Sequence, residues 1–328
     1  SSDLPYYHCV SRCVRRAYLC GEDAVTGRSF EHRRDWVEAR LLDLSQVFAL
    51  DVCAYAVMSN HTHVVLFVDH EGARNWDIRE VCERWHRLFA GVPISHHFLA
   101  GAALSDAEGE ELRALAEAWR QRLVSVSWFM RCLNEHIARL ANAEAVCTGR
   151  FWEGRFKSQA LLDDAALAAC MAYVDLNPLR AGIARTPEES DHTSVQRRIR
   201  TLQRHARVED PQPEALGGFA GQPEALLPFV GNPRMDMPKG LPLPLTDYLE
   251  LVDWSARLFR DGRDHRVTGD IPPLLQRLQI QPESWRQLVA GFESTFASLA
   301  GRPEQVRRAC QQLGRHWARG VRDCRQLL

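Results

Sequence analysis

The stretch Asp51-Val52-Cys53-Ala54-Tyr55-Ala56-Val57-Met58-Ser59-Asn60-His61-Thr62-His63-Val64-Val65-Leu66-Phe67-Val68-Asp69 decides how this chain is read. Asp51 to Val57 and His61 to Asp69 have strand composition, and Met58-Ser59-Asn60 leaves room only for a tight turn, so the two strands form a hairpin. Residues two apart on a strand share a face, so His61 and His63 point the same way. Two imidazoles on a rigid strand offer two ligands to a metal, although a lone His-x-His is equally at home as a pair of ordinary polar side chains.

Working outward, Pro5 to Val14 reads as a first strand, and Glu31 to Ala49 as a helix with Trp36, Leu41, Leu44 and Phe48 on one side. Strand, helix, strand, strand is the first half of a ferredoxin-like arrangement. Ile78 to Ala90 is expected to be a helix. Residues 91–121 form an insertion with its own helix, in which His96 and His97 lie at the surface. Leu123 to Leu140 places Phe129, Leu133, Ile137 and Leu140 on one helical stripe. Phe156 to Leu162 is a candidate last strand. The helix after it is capped by Asp163 or Asp164 and ends near Asn177-Pro178, because a residue before proline disfavours helical geometry. Prolines and glycines crowd 209–244, which reads as a linker, and 245–328 reads as three or four helices. The expected fold class is α+β: a ferredoxin-like antiparallel sheet with flanking helices over 1–208, followed by the linker and a helical accessory region.

Composition narrows the function classes. The 328 residues are 45% apolar and 25% charged with a net charge of −1, so a packed core is expected and any basic surface must be local. The ten cysteines include no Cys-x-x-Cys pair, which leaves a zinc ribbon unsupported; small buried thiols in a reducing cytoplasm are the simplest reading. No apolar run approaches the ~18–20 residues of a membrane span, and no membrane partner is expected.

A second informative stretch is Met171-Ala172-Tyr173-Val174-Asp175-Leu176-Asn177-Pro178-Leu179-Arg180-Ala181-Gly182. Tyr173 and Asn177 are four apart, hence on one helix face. Taken alone, Tyr173 is a half-buried helix tyrosine and Asn177 a helix cap. Taken with the histidines, Asn177 supplies a carboxamide oxygen, and two imidazoles with one such oxygen leave open positions that suit Mg²⁺ or Mn²⁺ with substrate phosphate. Tyr173 is then a nucleophile candidate.

These two stretches carry a family resemblance. His61-Thr62-His63 resembles the HUH motif, and Tyr173 to Gly182 resembles the catalytic helix of single-tyrosine transposases. Met58 to His63 and Gly149-Arg150-Phe151-Trp152-Glu153-Gly154-Arg155-Phe156-Lys157-Ser158 look most like the REP-associated tyrosine transposase branch, over about residues 5–200. The resemblance implies a ferredoxin-like core with both histidines on a central strand and a divalent metal on His61, His63 and Asn177. It implies attack by Tyr173 on a single-stranded DNA phosphate, giving a 5′-phosphotyrosine link and a free 3′-hydroxyl. Some relatives carry Gln where Asn177 stands. Hairpin DNA with a short single-stranded flank is the implied partner, and a bacterial, nucleoid-associated setting the implied location.

Candidate DNA contacts follow. Gly149 to Lys157 interleaves Arg150, Arg155 and Lys157 with Trp152 and two phenylalanines; cations can meet phosphates while aromatic faces stack bases, or the aromatics can be core and the charges merely solvated. Arg12, Arg15 and Arg16 end the first strand, and Arg180, Arg197 and Arg198 belong to a run of seven arginines against three acids over 180–207. Two other functions stay open: a domesticated relative that binds structured DNA without cutting it, and a replication or conjugation initiator. The initiators often carry two neighbouring tyrosines, and here only Tyr173 lies on the helix. Oligomeric state is open.

Overall fold

A computed structural model describes residues 5–14, 18–23, 26–208, 221–231, 239–260, 271–315 and 320–328. The strands are β1 (Tyr6–Arg12), β2 (Leu50–Val57), β3 (His61–Val68), β4 (Lys157–Leu161) and β5 (Leu299–Ala300). Between β1 and β2 lies α1 (Arg33–Ser45). Between β3 and β4 come α2 (His70–Asn75), α3 (Ile78–His86), α4 (Pro93–Leu99), α5 (Asp106–Leu123) and α6 (Val126–Glu144). After β4 follow α7 (Asp164–Asp175), α8 (Asn177–Arg180) and α9 (Ser194–Val208). The C-terminal helices are α10 (Leu245–Arg260), α11 (Pro273–Leu278), α12 (Pro282–Thr295), α13 (Pro303–Gln312) and α14 (Val321–Leu327).

The architecture is α+β around one five-stranded sheet in the order β2-β3-β1-β4-β5. The expected hairpin is β2–β3, and β1 pairs antiparallel with both β3 and β4. The sheet is mixed rather than wholly antiparallel, because β5 joins β4 in parallel. Two residues from the far end of the chain form that strand, too few to leave an alternation in the sequence. The 91–121 insertion holds two helices rather than one, α4 and α5; His96 and His97 are exposed on α4 as expected.

Strand alternation gives the sheet two unlike faces. Cys9, Val52, Tyr55, Val64 and Leu66 point to the face covered by α1, α3, α5 and α6, where Leu41, Val81, Trp119 and Phe129 complete an apolar core. The other face carries Val65 and Ala160 against α7 and the C-terminal helices. Alanine-rich α7 is buried from Ala165 to Asp175, and its small side chains let it lie close on the sheet between strands and α12. Asp163 is its N-cap, accepting from Ala166 N at 2.9 Å, and its second oxygen accepts from Arg302 N at 2.5 Å. Part of the Pro/Gly-rich segment is also core: Leu226, Leu227, Phe229, Leu241 and Leu243 are buried, and Leu227 N donates to Val52 O at 2.9 Å. The rest of that segment, 209–220 and 232–238, lies outside the described residues.

A polar cluster locks α7 to its surroundings. The Asp175 carboxylate accepts hydrogen bonds from Ser194 Oγ, from Val195 N at 3.0 Å and from the Tyr248 hydroxyl at 2.6 Å. Burial pushes its pKa up to about 6, against the pull of those donors and of the Arg198 charge. Tyr248 stands on α10, so the end of α7 is tied directly to the C-terminal region.

Candidate active site

The hairpin turn is held from three sides, which fixes where β3 begins. Cys13 N donates to Asn60 O at 3.0 Å and Cys20 N to Ser59 O at 2.9 Å, while the buried Arg34 guanidinium donates to Val57 O. His61, the first residue of β3, is partly exposed; its Nδ1 lies 2.6 Å from Asn60 Oδ1, a donor-to-carboxamide contact that leaves Nε2 as the lone pair. His63 is fully buried, its ring 4.8 Å from that of His61. Its Nδ1 is engaged by His8 Nε2 at 2.9 Å, and its buried Nε2 has no hydrogen-bond partner among the described residues. Burial lowers the pKa of His63 well below the ordinary value, with His8, His61 and Arg180 adding to the effect. Burial, Arg12 and Arg180 bring His61 down to about 4. Both rings are therefore neutral at pH 7, the form that ligates metal.

Tyr173 projects from α7 toward the same spot. Its ring stands perpendicular to His63 at 5.5 Å between centroids, and it is only 7% exposed. The Arg180 guanidinium lies 3.9 Å from the ring centre, and Phe292 of α12 closes another side at 6.2 Å. Burial raises the hydroxyl pKa, opposed by the Arg180 charge, so the phenol is protonated at neutral pH. Asn177 opens α8 and is buried, and Leu176 rather than Asn177 caps α7. The Asn177 amide nitrogen is unpartnered among the described residues; a half-turn of the near-isosteric carboxamide presents its oxygen there instead. Asn177, His61 and Arg12 line one cleft of about 750 Å³.

These side chains offer donor types that a divalent cation accepts. Among the described residues His63 Nε2 and the Asn177 amide nitrogen have no hydrogen-bond partner, and with His61 Nε2 these groups make an incomplete donor set of mixed N and O character. A second group, Asp35, Glu38 and His192, has ligand atoms within 4.8 Å of one another. This triad is a candidate metal site, and its Glu38 also accepts from Tyr55 OH, from Arg197 at 3.1 Å and from His192 at 2.9 Å.

The expected DNA-contact residues divide. Arg12, Arg150, Arg155 and Lys157 are exposed, with Lys157 Nζ 3.7 Å from Glu293. Trp152 is half-buried, its ring against Phe151 and its Nε1 donating to Asn134 O at 2.8 Å, so the aromatic part of the 149–157 stretch is largely packing. Arg15 and Arg16 lie outside the described residues. Arg180 turns inward, donating to Val289 O at 2.5 Å beside Tyr173. Arg197 is ion-paired to Glu38. Arg198 is a correction: it is fully buried, donating to Cys53 O at 2.9 Å and Leu227 O at 3.1 Å with its guanidinium over the Phe229 ring, and has no surface to offer a phosphate.

Two site neighbours, His8 and Gln159, escape the sequence reading. His8 Nδ1 lies 2.9 Å from Gln159 Oε1, and both residues are buried on adjacent strands, paired in register. A histidine at one position of an alternating strand is a faint signal, and Gln159 gives none.

No family model matches the chain, and no curated protein matches it either. Among solved structures, a REP-associated tyrosine transposase bound to a REP hairpin aligns with a TM-score of 0.36 at 11% identity, covering 65% of this chain and 86% of that one.

Proposed function

We propose that this chain is a metal-dependent, tyrosine-nucleophile endonuclease and strand transferase for single-stranded DNA, of the REP-associated HUH kind, acting beside a DNA hairpin. Its core is then a ferredoxin-like sheet, with β1 and β3 central and α7 as the nucleophile helix. One observation carries the reading. The buried His63 ring, whose Nε2 has no hydrogen-bond partner among the described residues, packs against the rings of His61 and of Tyr173, the only tyrosine of α7.

His61, His63 and Asn177 would hold Mg²⁺ or Mn²⁺, which polarises the scissile phosphate when bound. Tyr173 Oη forms the new bond to phosphorus as the bond to the 3′ oxygen breaks; the phenolic proton leaves and the released 3′ oxygen gains one. A phosphodiester replaces a phosphodiester, so a later 3′-hydroxyl can reverse the step without an energy source. Arg180, over the Tyr173 ring, favours the phenolate as it develops. Exposed Arg12 and Arg155 are suited to contact phosphates.

The test is a covalent protein–DNA adduct on a hairpin with a single-stranded flank in Mn²⁺ or Mg²⁺. Wild type should form it, and Tyr173→Phe should lose it while retaining DNA binding. Cleavage by the Phe variant would refute the mechanism. The burial of Tyr173 under Phe292 favours a second reading, a DNA-binding protein that does not cut. Tight hairpin binding with no adduct in any divalent ion would select it.

A further inference from the structure

We infer that His8 and Gln159 are positioning residues that fix the tautomer of His63, so that its Nε2 is the atom presented to a cation. This rests on the metal-site reading above, but the argument is one of hydrogen-bond direction. Gln159 Nε2 faces two backbone carbonyls of the C-terminal region, Phe296 O at 2.5 Å and Glu293 O at 3.3 Å. Carbonyls only accept, so that end of the side chain is the NH₂ and the other is the oxygen. Gln159 Oε1 therefore accepts at 2.9 Å from His8 Nδ1–H. A neutral imidazole has one N–H, which leaves His8 Nε2 as an acceptor; among the described residues the donor that meets it, at 2.9 Å, is His63 Nδ1–H. His63 Nε2 is then a bare lone pair, and it is the buried nitrogen that lacks a partner among the described residues.

Reversing any link sets two lone pairs or two hydrogens against each other. The relay thus runs in one direction, from the backbone of residues 293 and 296 through Gln159 and His8 to His63. Geometry supports it independently. The His8 and His63 rings are near parallel, 14° apart with centroids at 5.2 Å, and Gln159 sits directly across from His8 in the sheet register. Outer partners of this type orient a ligating histidine and hold its lone pair on the metal; losing one costs about 10–100-fold in metal affinity.

Two measurements on the full chain test the relay. In the metal-free protein, long-range ¹H–¹⁵N correlation of ¹⁵N-histidine should show His63 protonated at Nδ1 and bare at Nε2. A folded wild type with His63 protonated at Nε2 overturns the proposal, whether or not the protein binds metal. Titration with Mn²⁺ alone should show His8→Phe and Gln159→Leu weakened by about 10–100-fold, with circular dichroism unchanged. His8→Gln should recover much of the loss, because a carboxamide can donate toward Gln159 and accept from His63. Equal affinity in wild type and both folded variants overturns the relay. So does an equal loss in His8→Phe and His8→Gln, which would mark mere packing. If His8→Phe does not fold, Gln159→Leu and the wild-type spectrum still decide. A wild type that binds no Mn²⁺ overturns the metal-site reading instead, and the spectrum then judges the relay by itself.

Discussion

The two faces of the sheet are built from the same strands and have opposite characters. Beneath α1, α3, α5 and α6 the contacts are apolar: Val52, Val64 and Leu66 meet Leu41, Val81 and Phe129. Beneath α7 and α12, adjacent strand positions carry His8, His63 and Gln159; α7 brings Tyr173 and Asp175, and α10 beside it brings Tyr248. An apolar face tolerates any filling of the right volume. A polar interior is stable only when each donor finds an acceptor, so it specifies direction as well as shape. Strand alternation lets one sheet do both, with stability on one side and oriented lone pairs on the other.

If that division holds, substitutions on the two faces should fail differently. Leu66→Ala opens a cavity on the apolar face and should cost about 2–5 kcal/mol in denaturant unfolding. Its Mn²⁺ affinity in the folded state should be unchanged; a parallel loss of metal binding would erase the distinction. On the polar face, Tyr248→Phe removes a donor from buried Asp175 and should cost about 1–3 kcal/mol. A fully tolerated change there would show that the network is slack.

Glu38, on α1 and bonded to Tyr55, allows a pH test on the α1 side of the sheet. Burial would raise its pKa, but His192, Tyr55 and Arg197 bring it down from 4.5 to about 2. A carboxylate with a depressed folded pKa stabilises above its unfolded value and loses that contribution as pH falls through the folded one. Wild type should therefore lose stability relative to Glu38→Gln between pH 4.5 and about 2, and the two should differ most at neutral pH. A gap that is constant with pH would remove the ionic account. The smallest effect belongs to exposed Arg155: its change to Ala should lower the slope of log K against log salt for single-stranded DNA by about 0.7. An unaltered slope would take that side chain out of the DNA path.

What the sequence made legible was local. The β2–β3 hairpin follows from two strand-like runs around a three-residue turn. The clash before Pro178 predicted the stop near Asn177 only roughly: α7 ends at Asp175 and the chain turns helical again at Asn177 itself. The convergence of β3 and α7 was legible only by resemblance, since their side chains are far apart in the chain. His8 was invisible because its partner Gln159 is 151 residues away and no local pattern marks such a pair. Arg198 was misread as part of a charged run, although Val195 and Leu202 flank it at helical spacing on the inward side of α9. The last part of the chain reads as three or four helices, and its described residues hold five, α10 to α14, with β5 between α12 and α13. Their docking on α7 was not legible, because it rests on pairs far apart in the chain, such as Tyr248 with Asp175 and Phe292 with Tyr173.

Two backbone carbonyls also order events in time. Phe296 O holds Gln159, and Val289 O holds Arg180 over Tyr173, so both contacts require residues from the last part of the chain to have left the ribosome. A nascent chain that ends short of α12 can pair β1 with β3 and β4 and still lack the groups that aim His63 and Arg180. Contacts of such long sequence separation form late. A truncated or half-made copy thus lacks the contacts that orient Gln159 and Arg180, a dependence written into chain order.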